Sequence, residues 1–166
     1  MVRVKHAGPP RLTLIAVHAT FVIERSYEAA PSRVWRAWAD PEEKLRWFGP
    51  RVLTKPDHEL EFRVDGIERM TVQAPDGALY TFAARYQDIV EGERFVQTYE
   101  MYRDDARISV SVATVEFEAA GTGTKLTMTE QGVFLDGLDT PAEREHGTRE
   151  LLDTLAAHVE AAADET

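Results

Sequence analysis

Three features of this 166-residue chain predict an α+β fold in which a curved antiparallel sheet of about seven strands is closed by one long C-terminal helix. Near the end, Arg107 to Glu118 and Thr124 to Phe134 read as two successive strands. Behind them one apolar stripe, Thr148, Leu151, Leu152, Leu155 and Val159, recurs at three- and four-residue steps and marks a helix of roughly 20 residues, about 30 Å long. Before them, from Arg51 to Phe134, strand and turn segments alternate without a helical period. Consecutive antiparallel strands follow, and an alternating parallel-sheet enzyme fold is excluded. The expected order is β, α, α, a meander of about six strands, then α.

Each element has a local reason. Met1 to Leu12 is basic and carries Gly8-Pro9-Pro10, so residues 1–17 are expected to be a flexible lead-in and 18–166 a single domain. From His18 to Tyr27, β-branched and aromatic residues alternate with Thr20, Glu24 and Ser26, as in a strand. Pro31 suits the first turn of a helix over Ser32 to Ala39, with Val34, Trp35, Ala37 and Trp38 on one broad face. Asp40 caps a second short helix opening at Pro41, with Leu45, Trp47 and Phe48 as its apolar side and Gly49-Pro50 as its stop. Reversals are expected at Ala74-Pro75-Asp76-Gly77, Glu91-Gly92-Glu93, Arg103-Asp104-Asp105 and Ala120-Gly121-Thr122-Gly123. The last helix opens at Thr140-Pro141-Ala142-Glu143, a hydroxyl cap followed by proline and, three residues on, a carboxylate.

Composition narrows the function. With 43% hydrophobic residues the chain supplies one core without metal or disulfide, and the absence of cysteine removes thiol, redox and cysteine-zinc chemistry. The net charge of −10, from 29 acidic and 19 basic residues, repels nucleic acid and anionic membranes. No apolar run reaches the roughly 20 residues of a spanning helix, so membrane insertion is not expected and a cytoplasmic location is. His6, His18, His58, His146 and His158 show no metal spacing, and Ser109 and Ser111 stand in a regular strand rather than on a nucleophile turn. No metal or cofactor is called.

Seven motifs, in order, carry a resemblance: Phe21-Val22-Ile23-Glu24-Arg25, Ala30-Pro31-Ser32-Arg33-Val34-Trp35, Trp47-Phe48-Gly49-Pro50, Tyr86-Gln87-Asp88-Ile89-Val90, Glu93-Arg94, Gly123-Thr124-Lys125-Leu126-Thr127 and Thr129-Glu130-Gln131-Gly132. Over residues 18 to 160 the chain resembles the SRPBCC superfamily, and within it the bacterial branch named for the C-terminal domain of the activator of Hsp90 ATPase. The resemblance implies the helix-grip fold, also called START-like or Bet v 1-like, with a cavity between sheet and helix. It does not name an activity, because members range from lipid carriers and hormone receptors to polyketide cyclases and cochaperone domains.

Alternation predicts the cavity lining. If Val115 and Phe117 face the helix, then Arg107, Ser109, Ser111 and Ala113 share that face. Met128 and Glu130 belong to one face of the last strand, while Tyr80, Phe82, Tyr86, Phe95, Tyr99 and Met101 are offered by the others. Trp35, Trp38, Trp47 and Phe48 offer more aromatic surface than two short helices readily bury, which suggests either a homodimer or the mouth of the cavity, with Trp38, Trp47 and Phe48 as lining. Such residues suit flexible or planar apolar ligands, and each also serves as plain core. Glu130 and Arg107 are the candidate catalytic pair, whose bland counterpart is a structural ion pair. Gly147 makes room in the helix, with close packing of the sheet favoured over a ligand, and Leu151 lies on its stripe.

The first expectation is therefore a module that binds a small hydrophobic molecule such as a lipid, a polyketide or an aromatic metabolite, with binding favoured over catalysis. A polyketide cyclase or dehydratase is the alternative. A chaperone-interaction or stress-response role with an Hsp90-type partner comes third.

Overall fold

The structure, a computed structural model, describes residues 14–49 and 57–161. The lead-in up to residue 13 and the expected helix stop at Pro50 lie outside the described residues. The elements run β1 (Ala16–Tyr27), α1 (Pro31–Ala39), α2 (Pro41–Lys44), β2 (Asp57–Leu60), β3 (Ile67–Gln73), β4 (Leu79–Val90), β5 (Arg94–Arg103), β6 (Ala106–Ala120), β7 (Gly123–Leu135) and α3 (Pro141–Ala161). The strands form one antiparallel sheet in the order β1-β7-β6-β5-β4-β3-β2. This is the predicted helix-grip architecture. β1 starts two residues before the expected His18, because Ala16 and Val17 pair with Leu135 and Phe134.

The turns follow their chemistry. Gly77 and Gly92 adopt φ of 89° and 76°, and Asp76 Oδ1 accepts the Ala78 N–H at 2.9 Å. Two bulges bend the meander, with Gln87 the extra residue on β4 and Ile108 the extra residue on β6.

The two short helices roof one end of the concave face. Asp40 caps α2 by accepting from Glu42 and Glu43 N–H at 2.9 and 3.1 Å. Trp35 meets Phe62 and Phe117 edge-on at 5.4 and 5.0 Å, Trp38 meets Trp47 at 4.6 Å, and the Trp47 indole donates to the Ala37 carbonyl at 2.9 Å. All three tryptophans are buried, while Phe48 is half-buried.

α3 packs on β1 and α1 through its C-terminal half. Leu152, Leu155 and Val159 are fully buried there, each contributing about 1.5–3 kcal/mol. Polar ties fix the register: the Tyr27 hydroxyl donates to the Leu152 carbonyl at 3.1 Å, Arg25 pairs with Asp153 at 3.2 Å, and the Glu28 N–H reaches Glu160 at 3.0 Å. At the other end, Thr140 Oγ1 accepts the Glu143 N–H at 3.2 Å as expected of a cap. The reciprocal half of the capping box is not made by Glu143, because Asp139 Oδ1 takes the Thr140 N–H at 2.8 Å.

Candidate functional site

Under the first turns of α3 the concave face is not filled. A cavity of about 540 Å³ separates the helix from β3, β4, β5 and β7 and opens to solvent. Its walls are mainly apolar. Phe48 and the sheet residues Met70, Val72, Tyr80, Phe82, Met101 and Met128 line it opposite Leu151 of α3. A Cβ built on Gly147 would meet nothing within 4 Å, so the glycine opens the helix wall onto the cavity and the expected close packing against the sheet is not made.

One end of the cavity is polar. Glu130, only 1% exposed, accepts from the Tyr99 hydroxyl at 2.5 Å and the Ser111 hydroxyl at 3.3 Å. Its cation is Arg144, the fourth residue of α3. One terminal nitrogen of Arg144 donates to the Tyr99 oxygen at 2.8 Å and to Glu130 at 3.4 Å; the other donates to Ser109 at 2.7 Å and to Asp139 at 2.6 Å. Burial raises the pKa of Glu130 above the ordinary carboxyl range despite these donors. Burial opposes the Arg144 charge too, but Tyr99, Glu130 and Asp139 together strengthen its hold on its proton. Deeper in the wall, Gln97 Oε1 and Trp38 Nε1 are buried without a hydrogen-bond partner.

Ten of the expected lining residues stand in the wall. Trp38, Phe48, Tyr80, Phe82 and Tyr99 are there, as are Met101, Met128, Glu130, Gly147 and Leu151. Trp47, Tyr86 and Phe95 do face inward, but at the end filled by the aromatic cluster beneath α1, where they are core. Ser109 and Ser111 lie behind the wall as hydrogen-bond partners of Arg144 and Glu130.

The expected Glu130–Arg107 pair does not form. The bulge at Ile108 shifts the alternation, so Ile108 and Ser109 are both buried while Arg107 turns outward. There it donates to the Tyr102 oxygen at 2.9 Å and sits 3.5 Å from Glu100. Arg144 was missed, although it extends the Thr148–Leu151–Leu155 stripe one turn upstream.

A second buried network lies behind Phe48. The Lys44 ammonium, 0% exposed, donates to Glu68 at 2.5 Å and stands 4.4 Å over the Phe48 ring. Tyr86 donates to the same Glu68 oxygen at 2.8 Å, and His58 Nε2 lies 2.9 Å from the other. Burial favours protonated Glu68, yet Lys44, His58 and Tyr86 outweigh it and hold the carboxyl below its usual range. The same burial pulls Lys44 down.

Comparison with known proteins agrees with this architecture. No curated protein matches. An uncharacterized protein from Rhizobium leguminosarum is 44% identical over 90% of this chain and 99% of its own, with a TM-score of 0.86. A Rhizobium loti protein is 40% identical over 87% and 99%, with a TM-score of 0.81. One from Chromobacterium violaceum is 30% identical over 85% and 96%, with a TM-score of 0.72. Residues 28–160 match the family described as Activator of Hsp90 ATPase homolog 1-like protein, and with α3 gripped by a seven-stranded sheet the chain belongs to that family.

Proposed function

We propose that this chain binds a small hydrophobic molecule in the cavity beneath α3. The observation that carries the reading is the pairing of about 540 Å³ of mainly apolar space with a few polar groups, chief among them the Glu130–Arg144 cluster at one end, a combination that suits a ligand with an apolar body and a hydrogen-bonding group. The volume lies within the range of small-molecule sites, about 300–1,000 Å³. A ligand bound only by the native state adds about 2.7 kcal/mol of stability at a hundred times Kd, and so raises the melting temperature. Thermal denaturation against a library of apolar metabolites, with mass spectrometry of material released from the native protein, tests this. No stabilisation by any member, and no released molecule, would sink it.

Glu130 favours a second reading, proton-transfer chemistry of the cyclase or dehydratase type. A carboxyl whose pKa is raised by burial, beside a phenol and a guanidinium and facing a cavity, is a general acid or base in waiting. Glu130→Gln separates the two: an enzyme loses turnover, whereas a carrier keeps its affinity within a few-fold.

A further inference from the structure

We infer that the cavity selects amphiphiles whose polar end is a protonated amine over those that end in a carboxylate. The inference rests on the ligand-binding reading and adds the charge of the ligand's polar end.

Four carboxylates line the cavity, Glu130, Asp139, Glu143 and Glu150, against one cation, Arg144. That cation is already committed. Its two terminal nitrogens donate to Glu130, Asp139, Ser109 and the Tyr99 oxygen. An incoming carboxylate would have to displace Asp139 from a 2.6 Å contact, leaving that largely buried group with only the Thr140 N–H and no cation, or else stand beside Glu143 and Glu150 with no free cation in the lining to meet it. An amine meets the opposite conditions. Because Asp139 supplies the cap to Thr140 N–H, the Glu143 carboxylate is released from the capping box and stands on the cavity wall.

A second observation, independent of the acids, points the same way. Gln97, 3% exposed, lines the cavity with a buried Oε1 that accepts no hydrogen bond. A buried acceptor left unpaired costs about 1–3 kcal/mol, and because Oε1 is closed off from the empty cavity, the Gln97 amide must turn toward the ligand before an ammonium N–H satisfies it. Tyr80 and Phe82 also line the cavity, and aromatic rings favour a cation. The net charge of −10 draws cations toward the molecule and repels anions.

The test uses three probes with one apolar body, 2-(2-naphthyl)ethylamine, 2-(2-naphthyl)ethanol and 2-naphthylacetate, titrated into the full chain at low ionic strength, with the neutral dye Nile red as a cavity control. The amine is expected to bind about tenfold or more tighter than the carboxylate, with the alcohol between. The double variant Glu143→Gln/Glu150→Gln, altered only at the exposed mouth, should narrow that ratio, and Gln97→Leu should weaken the amine more than the alcohol. Equal affinities, or a preference for the carboxylate, would overturn the inference. So would uptake of Nile red with no binding of the amine, although the hydrophobic-ligand reading then survives. Failure of Nile red and all three probes overturns both.

Discussion

Lys44 brings an ammonium to a position with no exposed surface, where the Glu68 carboxylate, two aromatic rings and the Tyr86 hydroxyl surround it. Removing one member of such a pair leaves the other charge uncompensated, which typically costs more than the pair contributes. Lys44→Met is therefore expected to lower the unfolding free energy by about 3–5 kcal/mol, read from urea denaturation, and Lys44→Met/Glu68→Gln, which removes both charges but keeps an acceptor for Tyr86 and His58, to recover most of that loss. A double variant as unstable as the single one would mean that packing around Lys44, not its charge, is what the fold needs. Glu130 makes the opposite kind of prediction. Its native pKa is raised by burial, so its contribution to stability is complete below the unfolded carboxyl pKa of about 4.3 and is lost as pH rises through the native value. Glu130→Gln, neutral at every pH, should gain on the wild type as pH climbs above the unfolded carboxyl value of about 4.3. Stability curves that stay parallel over that window would show that the carboxyl is not perturbed.

At the scale of the element, Gly147 interrupts α3 where a helix former would stabilise it. A Cβ there enters open space, so Gly147→Ala is expected to raise stability by up to about 1 kcal/mol, whereas Gly147→Leu should leave the helix intact and weaken every ligand of the cavity. A Leu variant that binds as well as wild type would place the ligand elsewhere. What could be read from residue order divides along the same lines. The Asp40 and Thr140 caps, the glycine turns and the inward faces of β5 and β7 depend on neighbours within a few residues, so propensity and alternation locate them. The bulge at Ile108 does not announce itself, because it is decided by the partner strand, and the single extra residue sent Arg107 to the wrong face. Lys44 reads as an ordinary surface charge at the end of a short helix until the fold sets it against Glu68, 24 residues away. Alternation also names every inward side chain without saying which end of the concave face is packed. Phe95 and Tyr86 thus looked equivalent to Phe82 and Tyr99.

That division of the concave face governs the molecule as a whole. Beneath α1 and α2 it is filled by interlocking rings, and the half of α3 carrying Leu152, Leu155 and Val159 is anchored in the same core. The half from Pro141 to Leu151 spans the cavity, and Arg144 ties it to Glu130, Ser109 and Tyr99 on three different strands. The two halves should therefore open separately. In Arg144→Met the apolar stem remains but the tether is gone, and backbone amides between Arg144 and Leu151 should exchange with deuterium about tenfold faster or more, with those beyond Leu152 nearly unchanged. The effect has a pH signature as well. Without the guanidinium, Glu130 loses a partner that favours its charge, so its pKa rises further and the variant's deficit grows as pH climbs above the unfolded carboxyl range. Bound ligand bridging the cavity walls should restore protection to the same amides. Exchange that accelerated evenly along all of α3 would mean that the helix opens as a single unit, and that Arg144 acts on global stability rather than on the half covering the cavity.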